Sequence, residues 1–207
     1  MAGKYQLILF TLAFLFSSFC SVKEEPVWKS SVRKLEERFG LKQDEYALVV
    51  SVKDQRMFLI RDRKCVRVYP VSTAGEGIGN KKGSNKTPPG THCIAEKIGT
   101  GAAAGQIFKS CVNTGRVAEI YRDATDSPED LITTRIMRLK GMEPGINRGK
   151  GIDSYNRFIY IHGTPEEGLI GKAVSHGCIR MKNDDIIGLF SLIPEGTLIE
   201  ITGGDKK

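Results

Sequence analysis

With 207 residues, 40% of them apolar, the chain is long enough for a single domain with a proper hydrophobic core. Lys and Arg outnumber Asp and Glu by 31 to 24, yet the basic residues are scattered and accompany no recognisable nucleic-acid motif, so a nucleic-acid partner is not expected. The net charge of +7 suits attraction to an anionic polymer, or a merely solvated basic surface; its one concentration is Lys81-Lys82-Gly83-Ser84-Asn85-Lys86.

In chain order, Lys4 precedes an apolar run from Leu7 to Phe19 that is short for a bilayer span but right for a secretory leader. It has no polar face, which argues against a buried helix. Cleavage after Cys20 would put Ser18 and Cys20 where a signal peptidase wants small side chains. Lipidation of Cys20 is the rival, opposed by the bulky Phe19, and an uncleaved anchor is a third reading. Residues 1–20 are therefore expected to be a signal peptide or lipoprotein signal, with the protein exported to the periplasm or cell envelope and membrane contact only through this end.

Residues 21–45 form a helical lead-in: Trp28, Val32, Leu35 and Phe39 recur at three- and four-residue steps, and Gly40 stops the helix. From Tyr46 the period changes. Tyr46 to Val52, Arg56 to Arg61 and Cys65 to Ser72 read as an antiparallel meander with polar turns. Gly75 to Gly105 is glycine-rich and reads as turns or a flap, broken briefly around Cys93-Ile94-Ala95. Its Gly75-x-Gly77-x-Gly79 spacing matches neither a dinucleotide fingerprint nor a Walker loop. Leu131 to Leu139 is ambiguous. Ser127-Pro128-Glu129-Asp130 would start a helix, whereas the β-branched run Ile132-Thr133-Thr134 favours a strand. Phe158 to His162 is a strong strand. Asn183 is expected to cap a helix to about Leu192, with Asp184 and Asp185 in its first turn, before a closing strand from Thr197 to Thr202. Residues 46–202 thus make one domain, 203–207 a polar tail, and the fold class is mainly β: a β-sandwich or curved barrel-like sheet with one or two short helices.

Two of the three histidines share a pair of glycine-punctuated motifs with Cys178, Ile161-His162-Gly163-Thr164 and Ser175-His176-Gly177-Cys178-Ile179-Arg180, and the third, His92, adjoins Cys93. A thiol becomes a good nucleophile when a neighbouring base takes its proton, which makes Cys178 the candidate nucleophile and His162 the candidate base. Asp153 is the nearby acid upstream and is not expected to orient that base. His176, Gly177 and Cys178 supply consecutive amides for a developing oxyanion, and His176 also shapes the pocket. Arg180, Ser175 and Tyr160 are the candidates on the substrate side. Arg180 suits a bidentate carboxylate or, equally, a structural ion pair, and Ser175 braces the turn rather than attacking. Of the five cysteines, Cys20 belongs to the leader; Cys65, Cys93 and Cys111 allow at most one disulfide and read preferentially as free buried thiols. His162, His176 and Cys178 could alternatively ligate zinc, but no acid of a zinc-hydrolase motif accompanies them. No metal or cofactor is expected.

These motifs resemble the signature of the L,D-transpeptidase (YkuD-type) family of bacterial cell-wall enzymes. The resemblance extends to Val68-Tyr69-Pro70-Val71-Ser72-Thr73-Ala74-Gly75, Thr87-Pro88-Pro89-Gly90-Thr91 and Asn156-Arg157-Phe158-Ile159-Tyr160-Ile161-His162, in the family's order from about Tyr46 to Ile201. It implies a strand at 131–139 and a backbone carbonyl, that of Gly163, orienting His162. It implies attack by Cys178 before the terminal D-alanine of a peptidoglycan tetrapeptide stem, and transfer of the acyl group to another stem's amine as a 3→3 cross-link. Transfer to water (a carboxypeptidase) or to a lipoprotein lysine shares the first half-reaction. A non-catalytic wall-binding module is the remaining alternative, opposed by the intact Cys178 and His162. A monomer is the default.

Overall fold

The computed structural model describes residues 25–203; the expected leader with Cys20, and residues 204–207 of the expected tail, lie outside them. Helix α1 (Val27–Phe39) buries Val32 and Leu35 against Ala47, Val49 and Ile60. It ends at Gly40, whose left-handed backbone (φ 71°) lets the chain turn back and satisfy the last carbonyls. Strands β1 (Ala47–Ser51), β2 (Arg56–Arg61) and β3 (Lys64–Pro70) form the expected antiparallel meander.

The glycine-rich stretch departs from expectation. It contains β4 (Gly90–Ile98), a nine-residue strand inside the sheet rather than a brief break between turns. A hairpin of β5 (Gln106–Lys109) and β6 (Val112–Val117) follows. Its turn residues Ser110 and Cys111 both have positive φ (49° and 66°), the twist that a two-residue hairpin connection requires. The ambiguous segment is a strand, β7 (Ile132–Gly141), followed by β8 (Tyr160–Gly163), β9 (Ile179–Met181), α2 (Asn183–Leu192) and β10 (Leu198–Thr202).

These strands make one ten-stranded mixed sheet with path β3-β2-β1-β10-β4-β7-β5-β6, and β8 and β9 branch from β7. The closing strand β10 therefore lies inside the sheet, parallel to β1 and antiparallel to β4. Alternation along β1 divides the core: Ala47 and Val49 meet α1, while Leu48 and Val50 face the cluster that holds Ile186 and Leu189 of α2 and Ile161, Ile179 and Met181 of β8 and β9. The fold is mainly β, a mixed sheet with two helices.

Strand β7 serves three partners because it is irregular between Thr133 and Ile136, where Thr134 adopts φ 69°, a strained value for a β-branched residue. The buried Asn183 pins this irregularity. Its Oδ1 accepts hydrogen bonds from the hydroxyls of Thr133 and Thr134, and its Nδ2 donates to the Thr164 carbonyl (2.9 Å) and to Glu167 (2.7 Å). Asn183 is thus not the cap of α2. Lys182 occupies that position without a side-chain cap bond, and the amide is committed to tertiary contacts instead.

A second buried polar cluster fastens α1 to the sheet. Lys34 pairs with Glu143 (3.1 Å) and Glu200 (2.8 Å), and Glu143 and Glu200 also accept hydrogen bonds from Thr91. Next to it His92 is buried, with Nδ1 at 2.9 Å from the Gly90 carbonyl and Nε2 at 2.9 Å from Ser154 Oγ. Burial pushes the His92 pKa down to about 4.

Candidate active site

The branch of β8 and β9 brings the two sequence motifs together. The strands are parallel, with Ile161 opposite Ile179 and His162 opposite Arg180. Because side chains alternate, the isoleucines enter the core while Tyr160, His162, Cys178 and Arg180 share the other face. Tyr160 and Cys178 accordingly pack with Phe108 and Ile136 in a separate cluster, joined by Cys111 from the hairpin turn.

Cys178 is half-buried. The Tyr160 N–H donates to Sγ at 3.4 Å, and the thiol donates to the Phe158 carbonyl at 3.5 Å. Burial, with the carboxylate of Asp130 adding to it, pushes the thiol up to about 12 against the pull of the Tyr160 N–H, Arg180 and Arg157. His162 is 1% exposed, and its Nδ1 lies 2.7 Å from the Gly163 carbonyl. That contact makes Nδ1 the protonated nitrogen and Nε2 the basic one. Burial holds the His162 pKa below its usual value, with Asp130 and the Gly163 carbonyl opposing the shift. Gly163 has no room for a side chain: a Cβ there would stand 2.6 Å from Asn183 Oδ1.

The loop before Cys178 is braced from both sides. Ser175 Oγ donates to the Cys178 carbonyl at 2.6 Å and accepts the Gly177 N–H at 3.3 Å. Gly177 has φ 125°, which L side chains rarely adopt, and its carbonyl accepts from Thr87 Oγ1 at 3.1 Å. Thr87 also accepts the Ala74 N–H, and Ser72 exchanges backbone bonds with Arg180, so both upstream motifs are tied to the thiol loop.

Arg180 is 2% exposed and committed to carboxylates, with Nη1 paired to Glu166 and Nη2 to Asp130 at 2.8 Å. Asp130 also holds His176 Nδ1 at 2.8 Å. Burial pushes the Asp130 carboxyl upward, but His162, Arg180 and His176 outweigh it and keep its pKa below the usual value. Sequence reasoning missed Asp130, which lies far from the motifs in the chain, and Glu166, which lies just past Thr164 but shows its role only through its pairing with Arg180 on the neighbouring strand; Asp153 instead accepts the Asn156 N–H in its own turn. The Tyr160 hydroxyl accepts a hydrogen bond from the Cys111 thiol (3.4 Å), and burial drives its pKa upward. Cys65, Cys93, Cys111 and Cys178 are all free thiols. Among the described residues no three His, Cys, Asp or Glu side chains converge into a metal-ligand group, so the zinc trio considered from the sequence is not formed.

A half-buried thiol and an oriented imidazole on paired strands are parts that nucleophilic catalysis uses, here set in a mainly β domain. Residues 45–201 match the YkuD family, described as the L,D-transpeptidase catalytic domain. The chain is 30% identical over 159 residues to YqjB of Bacillus subtilis (strain 168), provisionally named an L,D-transpeptidase; the match spans 77% of this chain and 72% of that protein. YkuD of Bacillus licheniformis, named on the same footing, is 57% identical over 42 residues, which cover 20% of this chain and 26% of the relative. An L,D-transpeptidase structure from Mycobacterium smegmatis overlaps 76% of this chain and 58% of its own at 20% identity and a TM-score of 0.48. The chain belongs to the L,D-transpeptidase catalytic domain family, a family of cell-wall enzymes acting on peptidoglycan.

Proposed function

We propose that this protein is a cysteine-dependent peptidoglycan L,D-transpeptidase in which Cys178 is the nucleophile and His162 the general base. The observation that carries the reading is the bond from His162 Nδ1 to the Gly163 carbonyl, on a strand paired in register with the one that begins beside Cys178. Burial disfavours both the thiolate and the imidazolium, so the resting pair is neutral and proton transfer accompanies attack.

In the first half-reaction Nε2 of His162 takes the thiol proton while Sγ bonds to the carbonyl carbon before the terminal D-alanine. The carbonyl oxygen becomes an oxyanion. Because the Gly177 amide is already turned to Ser175, the amides of His176 and Cys178 are the donors assigned to it. Collapse breaks the C–N bond, the proton on His162 passes to the departing amine, and a thioester remains. In the second half an amine of another stem attacks, His162 takes its proton, and the thiol is restored. Arg180 is assigned to the frame that positions Asp130 and Glu166.

The acceptor is read from products. Incubation with tetrapeptide muropeptides is expected to release D-alanine and give 3→3 cross-linked dimers; tripeptide alone identifies water as acceptor, and unchanged muropeptides contradict the reading. The proposed location is the cell envelope after export. Among the described residues no helix is long and apolar enough to cross a membrane.

A further inference from the structure

The candidate site belongs to the β7 side of the sheet path, and the opposite end of that path, at β3, carries a surface that the chemistry does not use. Neighbouring strands lie about 4.8 Å apart, so the five steps from β3 to β7 span about 24 Å of sheet. Phe58 and Trp28 form the partly buried rim of the apolar cluster beneath α1. Val68 stands opposite Phe58 across the β2–β3 ladder and is 44% exposed. Val66, next to the slip in that ladder, is 54% exposed, and Val27 at the start of α1 is 37% exposed. Trp28 and Val32 also line a groove of about 440 Å³ between α1 and Arg63 of the β2–β3 turn.

The charge around this apolar surface is one-sided. From Arg56 to Val68 the chain carries Arg56, Arg61, Arg63, Lys64 and Arg67 against a single acid, Asp62. Carboxylates answer two of these cations: Glu36 pairs with Arg63 at 2.7 Å and Asp185 with Arg67 at 3.1 Å. Arg61 donates to the Tyr46 hydroxyl at 3.0 Å and lies over its ring, both neutral partners. Arg56 and Lys64 are exposed and pair with no carboxylate among the described residues. On the helix side of the groove Lys29 and Arg33 are balanced by Glu36 and Glu37, so the excess charge lies on the strands.

We propose that this face docks the domain on an anionic lipid bilayer, with Trp28, Val66 and Val68 at headgroup depth and Arg56, Arg61 and Lys64 toward the lipid phosphates. The headgroup region takes up tryptophan and small apolar side chains, and its phosphates attract Lys and Arg. An anionic wall polymer would answer the charge but leave the valines in water. A second copy paired along the β3 edge would set these cations against their own images. Chain position agrees: the apolar run Leu7 to Phe19 ends eight positions before Val27, at most about 30 Å of extended chain. An anchor at that end would therefore hold α1 close to the bilayer, with the candidate site at the far end of the sheet. The proposal is independent of the chemistry assigned to Cys178.

Trp28 is the single tryptophan of the chain, so its fluorescence reports on this surface. The full chain is mixed with vesicles of phosphatidylcholine brominated on its acyl chains, with or without phosphatidylglycerol. Trp28 is expected to be quenched in the anionic vesicles and much less in the neutral ones, with salt reversing the difference. Arg56→Gln combined with Lys64→Gln should lower the docked-to-undocked ratio read from quenching about thirtyfold, at about fivefold per cation. Val66→Ser combined with Val68→Ser should lower it about tenfold. All four positions are exposed, and circular dichroism is expected to show both variants folded. Equal quenching in the parent and both variants would mean a tether through residues 1–20 alone and overturns the proposal. Quenching that ignores lipid charge, or salt-dependent vesicle binding without quenching of Trp28, overturns it as well. So does a Trp28 emission shift that grows with protein concentration in the absence of lipid, the mark of a second copy on this face.

Discussion

His92 and His162 are both buried imidazoles that burial drives toward the neutral form, and they differ in how many ring nitrogens are occupied. His92 has partners on both, Gly90 and Ser154, beside a cluster in which Lys34, Glu143, Glu200 and Thr91 answer one another. His162 has a partner on Nδ1 alone; Nε2 makes no hydrogen bond among the described residues, on the face that also carries Cys178. Burial and a shifted pKa therefore mark scaffold and site alike. What distinguishes the site is a basic nitrogen without a hydrogen-bond partner on the strand face that also carries a thiol.

The contrast is broken most directly by exchanging the two imidazoles for amides. His162→Gln should lower kcat/KM about a thousandfold or more, with Cys178→Ala at least as severe, because the base and nucleophile act as a unit. His92→Gln should leave kcat/KM of the folded protein within about twofold and cost about 2 kcal/mol in denaturant unfolding, since it disturbs two buried hydrogen bonds. Loss of activity from His92→Gln in protein that remains folded would erase the distinction.

Acid unfolding sharpens the same comparison at a somewhat smaller scale. The folded chain holds His92 at about 4, below its usual 6.5, so on acidification the unfolded state binds the proton first. Stability should fall between about pH 6.5 and 4 by roughly 3 kcal/mol from this residue, and His92→Gln should flatten that slope. A pH-stability curve identical in the variant and the parent would contradict the assignment.

Asp130→Asn gives the next smaller effect. It removes a partner of Arg180 and of His176 and should cost about 1–2 kcal/mol, because the carboxylate is partly exposed. Asp130 also favours the protonated form of His162, so its loss should move the acid limb of the kcat/KM profile to lower pH. An acid limb that moved upward would mean that Asp130 does not act on His162. The least perturbing probe is alkylation of Cys178. With the thiol pushed up to about 12, the rate should keep rising through pH 9 instead of levelling near neutrality, as a preformed thiolate would.

Much of this arrangement is legible in the sequence where local pattern carries it. The three- and four-residue steps of α1, the alternation in β1 to β3 and the strand delivering His162 all appear close to their expected bounds. The pairing of the two motifs was readable because glycines and histidines cluster in short runs. The hairpin β5–β6 was not, since Asn113, Thr114 and Gly115 carry little strand propensity and β6 is exposed along its length. β4 was obscured by the glycines around it, and its strand character comes from β10 and β7 on either side. Asn183 carried the local signature of a cap, but contacts with Thr133 and Thr134, about 50 positions away in the chain, claimed its side chain. Long-range partners were equally invisible for Arg180, whose alternatives of substrate contact and ion pair depend on Asp130 and Glu166.

The central claim is that Cys178 becomes acylated with help from Nε2 of His162. Intact-mass analysis of protein quenched during turnover of a tetrapeptide stem tests it. The account predicts a mass gain equal to the tripeptide acyl group, located on the peptide containing Cys178, strongly reduced in His162→Gln and absent in Cys178→Ala. An unmodified Cys178 during active turnover, or equal turnover by Cys178→Ala, would contradict it.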